Sequence, residues 1–205
     1  MVVLGKREAA RFLERGRGVN ARTEALARPK GLAACLEMTN PGTFGTRHAM
    51  KRVLTPVLRG NLPKEELSAL CQRSDKRESL GAMGVAAAEL MKLEGLTGMN
   101  AAKMVGQLLP SVGDGGSKQL TKTLIAVVKN NDVSFSIVSD AVKLLAKLYP
   151  KADSSVQASM KRAVRNAEFE GRAFPGAVEE FNQATKEAKR RSEVVMDVVP
   201  EPAMR

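Results

Sequence analysis

The most evident deficit of this sequence is in aromatic residues. Tryptophan is absent, and tyrosine and phenylalanine together make up 3% of the 205 residues. Alanine, leucine, valine and methionine fill the apolar positions instead, and no stretch sustains the alternation of apolar and polar residues that predicts a strand. Small aliphatic side chains suit closely packed helices better than a β-sandwich. We therefore expect an all-α protein.

Histidine and cysteine are also scarce. His48 is the only histidine, and it lies beside Arg47 and Lys51 with no cysteine or carboxylate at a spacing typical of catalytic sites. The two cysteines, Cys35 and Cys71, are far apart and match no zinc-ligand pattern. We predict two reduced, mostly buried thiols in a reducing compartment, no metal or other cofactor, and no enzymatic activity.

Long apolar runs and phosphate-binding loops are missing too. No run approaches the roughly 18 residues of a membrane span, and the glycines do not form the GxxxxGK[ST] loop. The N-terminus lacks the apolar core of a secretory signal, but its arginine-rich character is compatible with an organellar transit peptide, although Glu8, Glu14 and Glu24 count against that. If it is retained, we predict for residues 1–46 a basic arm with short helices near residues 6–15, 21–27 and within 31–46, or else a disordered terminus.

What the sequence has is a repeated helical pattern, and its clearest copy runs from Leu120 to Tyr149. Apolar residues recur there at helical spacing on two segments, which the polar turn 130–132 separates. A capping serine, Ser134 or Ser136, follows the turn. The pattern predicts two amphipathic helices, with apolar faces made by Leu120, Leu124, Val127 and Val128 and by Val138, Ala141, Val142 and Leu145.

The same pattern recurs on both sides of this hairpin. The residues 37 positions before and 36 positions after each of these eight are also apolar. Leu124, for example, corresponds to Ala87 and to Met160. A looser copy begins near Met50, so we predict an all-α, right-handed solenoid of stacked helical hairpins at residues 47–75, 79–113, 117–150 and 153–190. Residues 113–116 are expected to be a flexible joint, Ser117 a helix cap, and 191–205 an extended tail. The alternative is chance similarity among amphipathic helices.

The charge indicates an acidic partner. The net charge is +11 and the isoelectric point is about 10.0. Nucleic acid, an anionic membrane surface or a ribonucleoprotein would each complement such a chain, and charge alone does not choose among them.

A cation follows the last apolar position of each first helix. These cations are Arg59, Lys92, Lys129 and Arg165, and in a stacked solenoid equivalent positions form a row. The row could contact successive phosphates of single-stranded RNA, or it could offset the dipoles at helix C-termini. The need to offset helix dipoles does not account for seven further cations: Lys103, Lys118, Lys122, Lys143, Lys147, Lys161 and Arg162.

The predicted RNA-binding residues follow from this row and its neighbours. They are Arg59, Lys92, Lys129, Arg165, Lys122, Lys161 and Arg162. Base stacking is not expected, because the aromatic residues look like core or joint positions: Phe135, Tyr149, Phe169, Phe174 and Phe181. Contacts to the RNA backbone are therefore favoured over sequence-specific readout.

The segment VSFSIVSDAVKLLAKLYPKADSSVQASMKRAV resembles the helix-pair repeats of the octotricopeptide and heptatricopeptide families, which are similar in style to the repeats of FAST-kinase-like organellar proteins. The resemblance rests on the 36 to 37 residue period, the helix at 138–148 and the short linker before Val156, and it covers about residues 80–190. It implies an organellar RNA-binding factor, and some proteins of these families are built into organellar ribosomes. This chain differs in its short length, few repeats and lack of a nuclease-like C-terminal domain, which favours a structural subunit.

The sequence thus predicts a non-catalytic RNA-binding component of a ribonucleoprotein, such as a mitochondrial ribosome. Its partners would be ribosomal RNA and neighbouring proteins rather than a small-molecule substrate. One alternative is a nucleocapsid or matrix-type coat protein that binds nucleic acid or anionic membrane in a virion or the cytoplasm. Another is a protein–protein adaptor.

The repeat pattern makes a direct prediction about stability. Replacing Leu124 or Leu145 with Ala should lower the free energy of unfolding by about 2–5 kcal/mol, because each change leaves a cavity in the core. The same change at Lys118 or Lys143 should be close to neutral. Urea unfolding measures all four variants, and equally small losses would contradict the assigned faces.

Overall fold

The computed structural model describes residues 31–38, 40–41 and 43–196, with side chains through residue 191. Over these ranges the chain forms nine α-helices, three single-turn 3-10 helices and no strand, which confirms the all-α prediction. The α-helices are α1 (Gly31–Leu36), α2 (Phe44–Arg59), α3 (Lys64–Cys71), α4 (Arg77–Leu90), α5 (Leu96–Leu108), α6 (Asp114–Val128), α7 (Phe135–Leu148), α8 (Ser154–Phe169) and α9 (Pro175–Met196). The 3-10 helices are Ser74–Lys76, Leu109–Ser111 and Tyr149–Lys151.

Local sequence signals explain several helix ends. Thr43 and Asp153 are the N-caps of α2 and α8, and their side chains accept hydrogen bonds from the first-turn amides of Thr46 and Val156. Pro110 and Pro150 lie in the 3-10 turns that end α5 and α7. These prolines cannot donate to the preceding helical turn, and the chain leaves each helix there.

The helices pack in two rows. Successive first helices of the pairs contact one another in the order α2, α4, α6, α8, and successive second helices do so in the order α3, α5, α7, α9. Helix α5 also contacts α2, and α7 also contacts α8, so the rows share one core. This order is compatible with stacked hairpins, whereas the regular superhelix of a solenoid stays a prediction.

The predicted apolar faces are largely buried. All eight assigned positions of the central pair are buried, among them Leu124 and Leu145, which have no exposed surface. Of the positions assigned in the pairs before and after it, Val156 is half-buried and Phe174 is 51% exposed. Phe174 was wrongly placed in the core because α9 begins at Pro175, one residue after it.

Helix α4 is the centre of the core. Every residue from Ser79 to Ala88 is buried, and the helix contacts α1, α2, α5 and α6. Glycines and alanines occupy half or more of this stretch, which lets neighbouring helices approach it closely. A helix that is apolar all round is stable only when other elements surround it.

The closest approach joins α4 to α6. A Cβ atom placed on Gly116 would lie 2.8 Å from Val112 Cγ1 and 2.9 Å from Gly81 Cα. Residues 113–116 are therefore not the flexible joint that the sequence suggested: Gly113 is the N-cap of α6, and Gly115 and Gly116 belong to its first turn. Ser117 lies inside the helix rather than at its cap.

Both predicted terminal segments also differ from the structure. Leu32, Cys35 and Leu36 of α1 are buried in the core, so residues 31–36 pack with the repeats rather than in a separate arm. Helix α9 continues to Met196, so residues 191–196 are helical rather than extended. The helices predicted near residues 6–15 and 21–27, and the tail from 197 onward, lie outside the described residues.

The burial of the two thiols agrees with the prediction. Cys35 is buried and Cys71 half-buried, and both are free. Burial raises the pKa of Cys35 to about 12. Its thiol is therefore protonated and unreactive at neutral pH. Among the described residues, no helix is both long and apolar enough to cross a membrane.

The contact between α4 and α6 predicts opposite effects for two neighbouring glycines. Gly116→Ala should lower the free energy of unfolding by about 1–3 kcal/mol, because its methyl group collides with Gly81. Gly115→Ala should raise it by about 0.4–1 kcal/mol, because no atom lies within 4 Å of the added carbon and alanine restricts the unfolded chain. Urea titration measures both, and a stabilising Gly116→Ala would contradict the close approach.

Candidate nucleic-acid interface

The seven predicted RNA-binding side chains are all exposed. Three of them lie where first helices end: Arg59 is the last residue of α2, Lys129 directly follows α6, and Lys92 comes just after α4. Because a short turn joins each first helix to its second helix, these ends lie at one edge together with the beginnings of α3, α5, α7 and α9. We call this edge the rim.

Arg165 differs from the other three cations. It lies inside α8, one turn before the last residue Phe169. The helix dipole acts mainly on charges in the last turn. Dipole compensation therefore explains the cations at the ends of α2, α4 and α6 but not Arg165.

Two of the predicted residues, Lys92 and Lys122, line one shallow groove of about 480 Å³. We call it the first-helix groove, because Lys51 of α2, Glu89 of α4 and Lys122 of α6 bring three successive first helices to it. Among the described residues that line it, Glu89 is the only one with a carboxylate, and this carboxylate is paired with Lys51 at 2.6 Å and lies 3.9 Å from Arg47. Among the described residues, neither Lys92 nor Lys122 has a carboxylate within ion-pair distance.

The remaining predicted residues lie elsewhere. Lys161 of α8 places its ammonium 5.6 Å from the ring centroid of buried Tyr149, a cation–π distance. Arg162, next to it, is exposed. Neither side chain lines the first-helix groove, so the seven predicted residues do not form one cluster around it.

A second basic groove was missed by the sequence reasoning. It has a volume of about 630 Å³, and its charged lining residues are Lys64 of α3, Lys103 of α5 and Lys147 of α7, with no carboxylate among them. We call it the second-helix groove. Its lysines do not occupy equivalent repeat positions, so comparing repeats could not group them. The packing of α3, α5 and α7 brings them together.

A third cavity is electrically balanced. It has a volume of about 430 Å³ and is lined by Lys118, Lys151, Asp114 and Asp153. Hydrogen bonds from the Val156 amide and the Ser155 hydroxyl lower the pKa of Asp153, and the charge of Lys118 lowers it further. Asp153 is therefore ionised at neutral pH, and its carboxylate lies 3.9 Å from Lys118 Nζ.

The sequence placed the aromatic residues at core or joint positions, and the structure divides them between the two. Tyr149 and Phe181 are buried, whereas Phe135 is 39%, Phe174 51% and Phe169 92% exposed. Phe135 opens α7 and Phe174 precedes α9, so both lie at the rim. Their ring centroids are 4.3 Å apart in an edge-to-face arrangement. The apolar periodicity could not reveal this, because both residues fall at helix beginnings, where a helical face is not yet defined.

Side chains from the following helix pair fix two of the first-helix ends. The Asn100 amide of α5 donates to the carbonyls of Leu58 and Gly60, at 3.0 and 2.9 Å. The Arg172 guanidinium donates to the carbonyls of Val128 and Asn130, at 2.8 and 3.4 Å. Leu58 and Val128 occupy the same repeat position, so both contacts satisfy equivalent carbonyls that helix ends leave without partners. The rim is thereby held in place from one pair to the next.

This arrangement predicts the effect of one isosteric change. Asn100→Asp should lower the free energy of unfolding at pH 7 by at least about 1–3 kcal/mol, because the change removes a donor from two carbonyls in a buried position. Asn61→Asp makes the same change at an exposed site and should alter stability by less than about 0.5 kcal/mol. Thermal and urea unfolding measure both. Equal effects of the two changes would show that the Asn100 bonds do not stabilise the fold.

Comparisons with known proteins add no relative. No protein-family model, curated protein or solved structure matches the chain. The resemblance to octotricopeptide and heptatricopeptide repeats therefore stays a prediction.

Proposed function

We propose that this protein binds single-stranded RNA through the first-helix groove and the adjoining rim, as a non-catalytic component of a ribonucleoprotein. The observation that carries the proposal is the groove itself, in which Lys51, Lys92 and Lys122 come from three successive helix pairs, and the one lining glutamate is paired with Lys51 rather than with Lys92 or Lys122. A place in a mitochondrial ribosome is the narrower form of this proposal, and it rests on the resemblance of the repeats alone.

The spacing of the lysines favours a linear polyanion. Packed helices lie about 8–10 Å apart, so cations on neighbouring first helices are separated by about one Debye length at physiological salt. Screening at that separation is partial, so the potentials of neighbouring cations still overlap along the row. A phosphate backbone presents a line of negative charge that can follow such a row across the helices.

Lys92 and Lys122 can bind phosphate without first losing a carboxylate partner. An exposed lysine that already faces a carboxylate, as Lys118 does at 3.9 Å from Asp153, would have to exchange that partner for a phosphate. Lys92 and Lys122 need no such exchange, and Glu89 is drawn towards Lys51 and Arg47. Lys92 and Lys122 in the first-helix groove should therefore contribute more to phosphate binding than Lys118 and Lys151 in the balanced cavity.

Three double variants test the proposal with equal loss of charge. Lys92→Gln with Lys122→Gln alters the first-helix groove, and Lys103→Gln with Lys147→Gln alters the second-helix groove. Lys118→Gln with Lys151→Gln alters the balanced cavity. Each ionic contact to a single strand contributes about 0.7 to the slope of log affinity against log salt, so the first variant should flatten the slope by up to about 1.4. The measurement is fluorescence anisotropy with a labelled single-stranded RNA at several salt concentrations.

The three variants separate the alternatives. Equal losses in all three would show that binding follows net charge and that no specific groove exists. A loss confined to the second variant would move the interface to the second-helix groove. If the parent chain binds anionic vesicles or self-associates but does not bind RNA, the coat-protein function replaces the proposal, and if it does neither, the adaptor function does. Thermal unfolding checks that these exposed changes leave the fold intact.

A further inference from the structure

We infer that Phe135 and Phe174 form a stacking platform for unpaired nucleobases at the rim between the third and fourth helix pairs. The inference rests on the proposed RNA binding and adds a base contact to it. At 39% and 51% exposure, the two rings present apolar surface to solvent beside the turn that carries Lys129. An RNA strand brings phosphates for the lysine and aromatic bases for the rings, and so complements both.

The platform is held rigidly by a buried hydroxyl. The Ser139 hydroxyl donates to the Phe135 carbonyl at 2.9 Å and accepts from the Phe174 amide at 2.8 Å. Ser139 is only 2% exposed, so this link between the two phenylalanine backbones is shielded from water. The backbones that carry the two rings are therefore fixed relative to each other before any ligand arrives, which reduces the entropy lost on binding.

The geometry of the pair leaves a face for a base. The ring planes meet at 85°, so the edge of one ring points at the face of the other. The two faces of the ring that contributes its edge are not covered by the other ring. A nucleobase can stack on such a face, and this interaction tolerates any base because every base has a π-face. Arg172 is tied to the Val128 and Asn130 carbonyls on either side of Lys129, so the cation and the rings keep a fixed relation.

Stacking on this platform requires bases that are not already paired and stacked in a duplex. We therefore expect the chain to prefer single-stranded RNA to duplex RNA of the same length and charge. A base-free polyanion such as inorganic polyphosphate should bind through the lysines alone and should not sense the phenylalanines.

The test compares Phe174→Ala with Phe44→Ala as a matched control. Phe44 is 76% exposed and opens α2, at the end of that helix away from the rim. The probes are a single-stranded RNA of roughly 12 nucleotides, the corresponding duplex and inorganic polyphosphate. Phe174→Ala should weaken single-strand binding by about 5- to 150-fold for one lost base stack, with the salt slope and the polyphosphate affinity unchanged. Phe44→Ala should change none of the three.

A second variant and a fluorescence measurement test whether the loss of binding comes from the lost ring itself. Phe135→Leu keeps an apolar side chain but removes the ring, and it should also weaken single-strand binding. A 2-aminopurine base in the RNA should lose fluorescence on binding to the parent chain through stacking, and recover most of it with Phe174→Ala. Thermal unfolding of each variant shows whether the fold is retained.

The outcomes distinguish this inference from the proposed function. If Phe174→Ala binds single-stranded RNA as well as the parent does, while Lys92→Gln with Lys122→Gln still flattens the salt slope, the platform is refuted and the backbone binding stands. If the parent does not bind RNA at all, both fail. If Phe174→Ala reduces binding to phosphatidylserine vesicles but leaves RNA binding unchanged, the exposed rings contact a bilayer and the inference is wrong.

Discussion

The close backbone approach of α4 and α6 at Gly81 and Gly116 is the constraint on which the rest of the structure depends. Because neither residue has a side chain, the two helices come near enough for the residues from Ser79 to Ala88 to be buried on all sides. Helix α4 then becomes the surface on which α1, α2 and α5 also pack. A core built this way needs small residues at its closest contacts, which agrees with the composition of the chain.

The ends of the helices are fixed by a different kind of contact. Asn100 and Arg172 reach from one helix pair to the terminal carbonyls of a preceding first helix, and so they satisfy groups that would otherwise need water. These bonds set where the rim cations lie relative to the next second helix. The surface that we propose for RNA is thus positioned by the same contacts that join the pairs.

The distribution of charge carries more information than its total. The net charge of +11 would attract any polyanion, but the cavities differ in how much of that charge is available. One cavity balances its lysines with Asp114 and Asp153, the first-helix groove has one engaged glutamate, and the second-helix groove has no carboxylate lining it. The variants proposed above exploit this difference, because they remove equal charge from unequal surroundings.

The sequence by itself determined the helical class, the breaks at Pro110 and Pro150 and the buried faces of the central pair. Each of these follows from local chemistry: apolar residues at helical spacing must share a face, and proline cannot continue a helix. Only the tertiary structure decided that Gly116 is a packing contact rather than part of a joint, because its role depends on Gly81 of another helix. It also decided that Phe174 is exposed and that Lys64, Lys103 and Lys147 share a groove. Those properties belong to surfaces assembled from residues distant in the chain, and no periodicity within one segment encodes which segment will lie beside it.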